Sequence, residues 1–182
     1  MSRIEPLSPD ALSDRQKQVH DAIASGPRGR VRGPLAVWLH RPDLADRAQA
    51  LGRYCRYDSL LEPRLSELAI LATARVWKSE FEWAAHKPIA LKAGISADIV
   101  ETIRTNGTPV FKNEDEDVVY NFAVTLHTKR FIDDALYARA VKVLGQERVV
   151  DLTGILGYYT LISMTINVFD LPPPDGIAPE LE

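Results

Sequence analysis

Apolar positions along the chain recur at three- and four-residue spacing, and no stretch sustains the alternation of a half-buried strand, so the pattern predicts an almost entirely helical fold. Start and stop signals agree with it. Ser8 ahead of Pro9 predicts a capped helix running until "SGPRG" breaks it. Further helices are expected from Pro42 through "DLADRAQALGRYCRY", from Pro63 through "RLSELAILATARVW", from Ser79 to Gly94, and over "ISADIVETIR" between Ser96 and Gly107. "NEDEDVVYNFAVTLHTKR" has acids in its first turn and bases in its last, the order the helix dipole favours. "DDALYARAVKVL" is expected to be capped by Asp133 and closed at Gly145, and Val149 to Phe169 forms a last, long helix.

Two of these helices stand apart. The one from Pro63 is apolar nearly all round, which marks an element enclosed by neighbours. The one from Val149 is almost long enough to cross a bilayer, but Asp151, Thr153, Thr160, Thr165 and Asn167 interrupt it, so it reads as a central buried helix and no membrane is expected. The proline-rich "DLPPPDGIAPELE" beyond it is expected to lie over a surface or a partner subunit.

At 182 residues and 46% hydrophobic, the chain fits one domain with a real core, over residues 1–182. Residues 1–50 read as a helical extension and 171–182 as a tail. A net charge of -3 with no basic stripe argues against a nucleic-acid partner. Cys55 is the only cysteine, so neither an internal disulfide nor a dithiol site is available. The first residues mix charges and lack an apolar run, which leads to an expectation of a cytoplasmic protein.

The chemistry concentrates in "SEFEWAAHKPIALKAG". At about 100° per residue, Glu82 and His86 fall near the middle of an arc shared with Ser79, Trp83, Ala85, Ile89, Ala90 and Ala93. Glu67 lies in "LSELAILATA", where few directions are open to water. Three titratable groups held indoors could hold or pass a proton near neutrality, as general acid–base catalysis requires. The plainer alternative is a hydrogen-bonded structural pair, since i,i+4 contacts are ordinary in helices.

The order Glu67, Ser79, Glu82, His86, followed by "KPIALKAGIS", resembles the carboxymuconolactone decarboxylase family of the alkyl hydroperoxidase D-like superfamily, most closely over about residues 51–108. The resemblance implies an all-α bundle and a homo-oligomer, whether trimer, hexamer or dimer. In the peroxidase branch, a glutamate, a C-x-x-C pair and a histidine form a redox and proton-relay site. Here the two cysteine positions hold Ser79 and Glu82. The decarboxylase-like branch instead has a glutamate four residues before the histidine, as Glu82 and His86 are placed.

This leads to a catalytic set of Glu67, Glu82 and His86, with His86 moving the proton, Glu82 orienting it and Glu67 completing the relay. The substrate is expected to be a small lactone, carbonyl or carboxylic acid compound, and the scheme requires no organic or metal cofactor. Ser79, Trp83, Tyr158, Asn167 and Arg32 are the candidate substrate contacts. Arg32 sits with Arg28 and Arg30 in "GPRGRVRGP", a pattern also common in solvated turns. Trp83 and Cys55 can equally be packing residues, and the polar tips of Tyr158, Tyr159 and Asn167 can be satisfied structurally. A thiol-dependent hydroperoxide reductase and a non-catalytic small-molecule-binding oligomer are the competing functions.

Overall fold

The computed structural model describes residues 2–181. Its described residues form nine α-helices and no strand: α1 (Asp14–Ala24), α2 (Pro34–Trp38), α3 (Pro42–Arg53), α4 (Pro63–Trp77), α5 (Glu80–Lys92), α6 (Ala97–Arg104), α7 (Glu114–Lys129), α8 (Asp134–Leu144) and α9 (Gln146–Phe169). The fold is all-α, as the periodicity predicts.

α4 is the axis of the molecule and packs against α5, α7 and α9. Pro63 at its first turn sets the backbone, and every residue from Leu65 to Ala74 is buried. That explains the lack of a polar face. α9 is long and apolar enough to cross a membrane, yet most of its apolar stretch is buried inside the protein. Leu152, Ile155, Leu156, Tyr158, Tyr159, Ile162 and Ile166 form its inner face, while Val150, Leu161, Met164 and Val168 are exposed on the other.

α4 and α5 form the hairpin that builds the site. Lys78 closes α4 in the left-handed region, with φ of 49°, and the Ser79 N–H bonds back to the Ala74 carbonyl at 2.8 Å. The chain therefore reverses within two residues, which lays α5 along α4. Pro88 lies inside α5 without ending it. α7 is tied to the start of α4 by Arg64, whose guanidinium reaches Glu116 and Asp115, each at 2.6 Å. Glu116 is 4% exposed, so removing its cation would strand a buried carboxylate. Arg64→Leu is expected to cost about 2–3 kcal/mol in urea unfolding. A loss below about 0.5 kcal/mol would show the pair to be incidental.

The start of the chain differs from the expectation, and one helix is new. Pro9–Ala11 is only a single 3-10 turn, and the first helix starts at Asp14, because Ser13 and Gln16 make a reciprocal capping box there. α2 was not anticipated, since "PLAVW" is too short to show a period. The proline-rich tail does lie over a surface, that of the chain's own α5: the Glu180 carboxylate accepts from Trp83 Nε1 at 3.1 Å and Lys87 Nζ at 2.6 Å. Glu80 returns the contact by accepting the Glu180 and Leu181 backbone N–H groups.

Candidate functional site

Glu67 on α4 and Glu82 on α5 meet on opposite edges of one imidazole. His86 Nδ1 lies 2.6 Å from Glu67 Oε2, and His86 Nε2 lies 2.8 Å from Glu82 Oε1. All three residues are at most 5% exposed. A neutral imidazole has one N–H, so one of these contacts would set a lone pair against a carboxylate oxygen; the imidazolium satisfies both. Burial opposes that charge, but the adjacent carboxylates of Glu82 and Glu67 prevail and raise the His86 pKa from 6.5 to about 9.

The ring is braced from the side by Tyr159, edge-on at 5.3 Å between centroids, and Tyr158 meets Tyr159 in the same manner. Both tyrosines come from α9. Their phenols are held neutral by burial, with Tyr158 pushed up to about 12.

Glu82 and His86 border an open space. A cavity of about 230 Å³ is lined by Glu82, His86, Tyr158 and Tyr159, with Phe81, Ala85, Leu35 and Ile162 as its apolar surface. Glu67 stays behind His86 and does not reach the cavity wall. Glu82 uses Oε1 for His86, and among the described residues no hydrogen bond engages its Oε2. Glu82, not His86, therefore offers a free basic atom to a bound molecule.

The remaining wall is cationic. Arg28, Arg30, Arg32 and Arg56 all line the cavity. Arg28 Nη2 is 3.4 Å from the Tyr158 hydroxyl, and Arg32 Nη1 lies 3.2 Å from Asp175 of the tail, with Arg30 Nη2 at 3.9 Å from the same carboxylate. Arg56 stands 5.4 Å over the Tyr57 ring. The close approach of Tyr158 and Arg28 depends on Gly52 of α3, where a Cβ would overlap the phenol and come within 2.6 Å of the guanidinium. Four guanidinium groups facing one carboxylate make a site for an anion.

Residues 42–123 match the model of the carboxymuconolactone decarboxylase family. Over these residues the chain is similar to this family. The match extends past residues 51–108 at both ends, taking in all of α3 and much of α7. No curated protein matches the chain in sequence. An uncharacterized peroxidase-related protein from Silicibacter sp. TM1040 is similar in fold, with a TM-score of 0.77 at 12% identity over 96% of this chain and 92% of that one. An alkylhydroperoxidase AhpD core protein from Ralstonia eutropha JMP134 is similar to the same degree, 0.77 at 17% identity over 96% and 93%. The debrominase Bmp8, seen in complex with 2,3,4-tribromopyrrole, has a TM-score of 0.75 at 14% identity over 96% and 95%. At these identities the likeness is one of fold.

The structure brings Glu67, Glu82 and His86 together and sets Tyr158 and Arg32 on the cavity wall. Three other candidate contacts lie elsewhere. Ser79 is fully buried at the α4–α5 turn, with no hydrogen-bond partner for its hydroxyl among the described residues. Trp83 is fully buried and donates to Glu180, because it follows Glu82 by one residue and so points about 100° away around the helix. Asn167 is exposed and donates to the Trp77 carbonyl at 2.7 Å, satisfying the end of α4.

Sequence reasoning passed over Arg28, Arg56, Tyr57 and Phe81 as contacts. The three arginines of "GPRGRVRGP" were the available signal, and all three line the cavity. Cys55 is 1% exposed and outside the cavity wall, and burial together with Asp151 pushes its thiol up to about 11. That is the opposite of an activated thiolate.

Proposed function

We propose that this chain is a thiol-independent acid–base enzyme acting on a small carboxylate-bearing lactone or carbonyl compound. One observation carries the reading: a buried Glu67–His86–Glu82 chain presents a single unengaged carboxylate oxygen to a cavity walled by four arginines. A substrate carboxylate would pair with the guanidinium groups, which fixes the carbon to be deprotonated beside Glu82.

Glu82 Oε2 takes the proton as the C–H bond breaks, and the electron pair moves onto the conjugated carbonyl oxygen. The enolate-like charge is met by the arginine wall. His86, held as the imidazolium, stabilises the Glu82 carboxylate between turnovers and can resupply a proton through it. This reverses the roles expected from sequence, because both ring nitrogens of His86 are already taken and only Glu82 has a free atom. Glu67 acts through His86 as a positioning residue.

The peroxidase-related fold neighbours motivate a second reading, reduction of a hydroperoxide by a thiol. The test compares variants on a panel of oxo acids, lactones and hydroperoxides. Cys55→Ala is expected to keep full turnover of whichever compound is accepted, while Glu82→Gln loses it. Loss of activity in Cys55→Ala with retention in Glu82→Gln would overturn the acid–base reading.

A further inference from the structure

Behind Phe81 lies a second cavity of about 280 Å³. Its wall comes from Ile4, Pro6, Ala36 and Val37 and from the tail at Leu171–Pro174. Phe81 lines both cavities. Residues 32–37 thread between them, giving Arg32, Pro34 and Leu35 to the reaction cavity and Gly33, Ala36 and Val37 to the second.

The ring of Phe81 fills the gap between the two. It lies so close to Gly33 that a Cβ there would overlap the ring edge, and Gly33 also has a positive φ of 55°, so only glycine fits without shifting the partition. The tail roofs both spaces: Leu171–Pro174 wall the second cavity, while the next residue, Asp175, reaches Arg32 and Arg30 of the first. Neither space alone attains the roughly 300–1,000 Å³ of ordinary ligand sites, but the two joined do.

We infer that the apolar chamber behind Phe81 receives the hydrocarbon part of the substrate, making the natural substrate an amphipathic carboxylate with its reacting head at Glu82. The proposal rests on the anionic reading of the reaction cavity given above. Phe81 is then the specificity-determining residue. It is one position before Glu82 on α5 and only partly buried, so turning its ring aside would join the reaction cavity to a space whose wall is largely apolar. A substrate without an apolar tail leaves the partition closed and the chamber unused.

Titration calorimetry with the n-alkanoates from butanoate to decanoate tests this without requiring catalysis. Each methylene that enters the chamber is expected to tighten binding about fourfold. Phe81→Ala, which removes the partition, should extend the trend to shorter acids. Ala36→Phe, which fills the chamber, should flatten it. Should Phe81→Ala fail to fold, Phe81→Leu and Ala36→Phe carry the same comparison. Equal affinity for every chain length in the native protein and in Phe81→Ala overturns the chamber while leaving the anionic reading intact. Binding of none of the acids, with the protein folded, overturns both. A length dependence that survives Ala36→Phe unchanged also overturns the chamber, because the tail would then be lodged elsewhere.

Discussion

Glu82→Gln is expected to lower turnover by about 10²- to 10⁴-fold while changing KM little. Glutamine keeps the shape and a hydrogen-bond acceptor for His86 Nε2, so the cavity wall survives. It cannot accept a proton from carbon. In the proposed reading substrate affinity resides in the arginine wall, which the change does not touch, so the loss should fall on kcat. Glu67→Gln should reduce the rate less, because Glu67 meets only the far side of His86 at Nδ1. Steady-state kinetics on proteins shown to be folded by circular dichroism makes the comparison. Full turnover in Glu82→Gln would remove proton transfer at this atom from consideration.

Replacing His86 by leucine should affect stability more than any other single change at the site, by about 3–5 kcal/mol at neutral pH. Leucine fills similar space but leaves the Glu67 and Glu82 carboxylates buried with no cation between them. The pH window of the dependence should also move, although stability falls with rising pH in both proteins. In the native protein the His86 pKa is raised from 6.5 to about 9. Its contribution to stability, on the order of 3 kcal/mol, is therefore fully present below about pH 6.5 and is lost as pH rises through 9. In His86→Leu the dominant cost is carboxylate repulsion, which acid relieves. Stability should then rise as pH falls toward the carboxylate range. Denaturant melts from pH 5 to pH 10 follow both curves, and parallel curves for the two proteins would show that His86 carries no charge in the folded state.

Much of this architecture is visible in local pattern. Asp133 and Ser96 cap the helices they were expected to cap, and the all-round apolar character of "RLSELAILATA" announced the central helix. The misreading at Ser8 is instructive: Pro9 at a first turn and Ser8 before it satisfied the rule, but the Ser13–Gln16 capping box is a stronger local start. Among site residues, helical spacing succeeded where it bears on direction. Glu82 and His86 lie one turn apart, and both turn inward. Asn167 was misplaced because an interrupted apolar helix signals that polar tips need partners, but not whether the partner is a ligand or a backbone carbonyl.

The sequence by itself determined the longer helices and their order, the enclosure of α4 and the inward aim of Glu67, Glu82 and His86, because these follow from a period of 3.6 residues and from local capping chemistry. Only the tertiary structure decided which ring nitrogen meets which carboxylate, and so which atom remains free. The cationic wall was likewise decided in three dimensions. Its arginines sit before α2 and just after α3, and the tyrosines beside them come from α9, more than a hundred residues beyond the first of those arginines. Loop side chains have no periodicity to orient them, so their direction is set by what packs against the segment: here α9, the Gly52 gap and the returning tail.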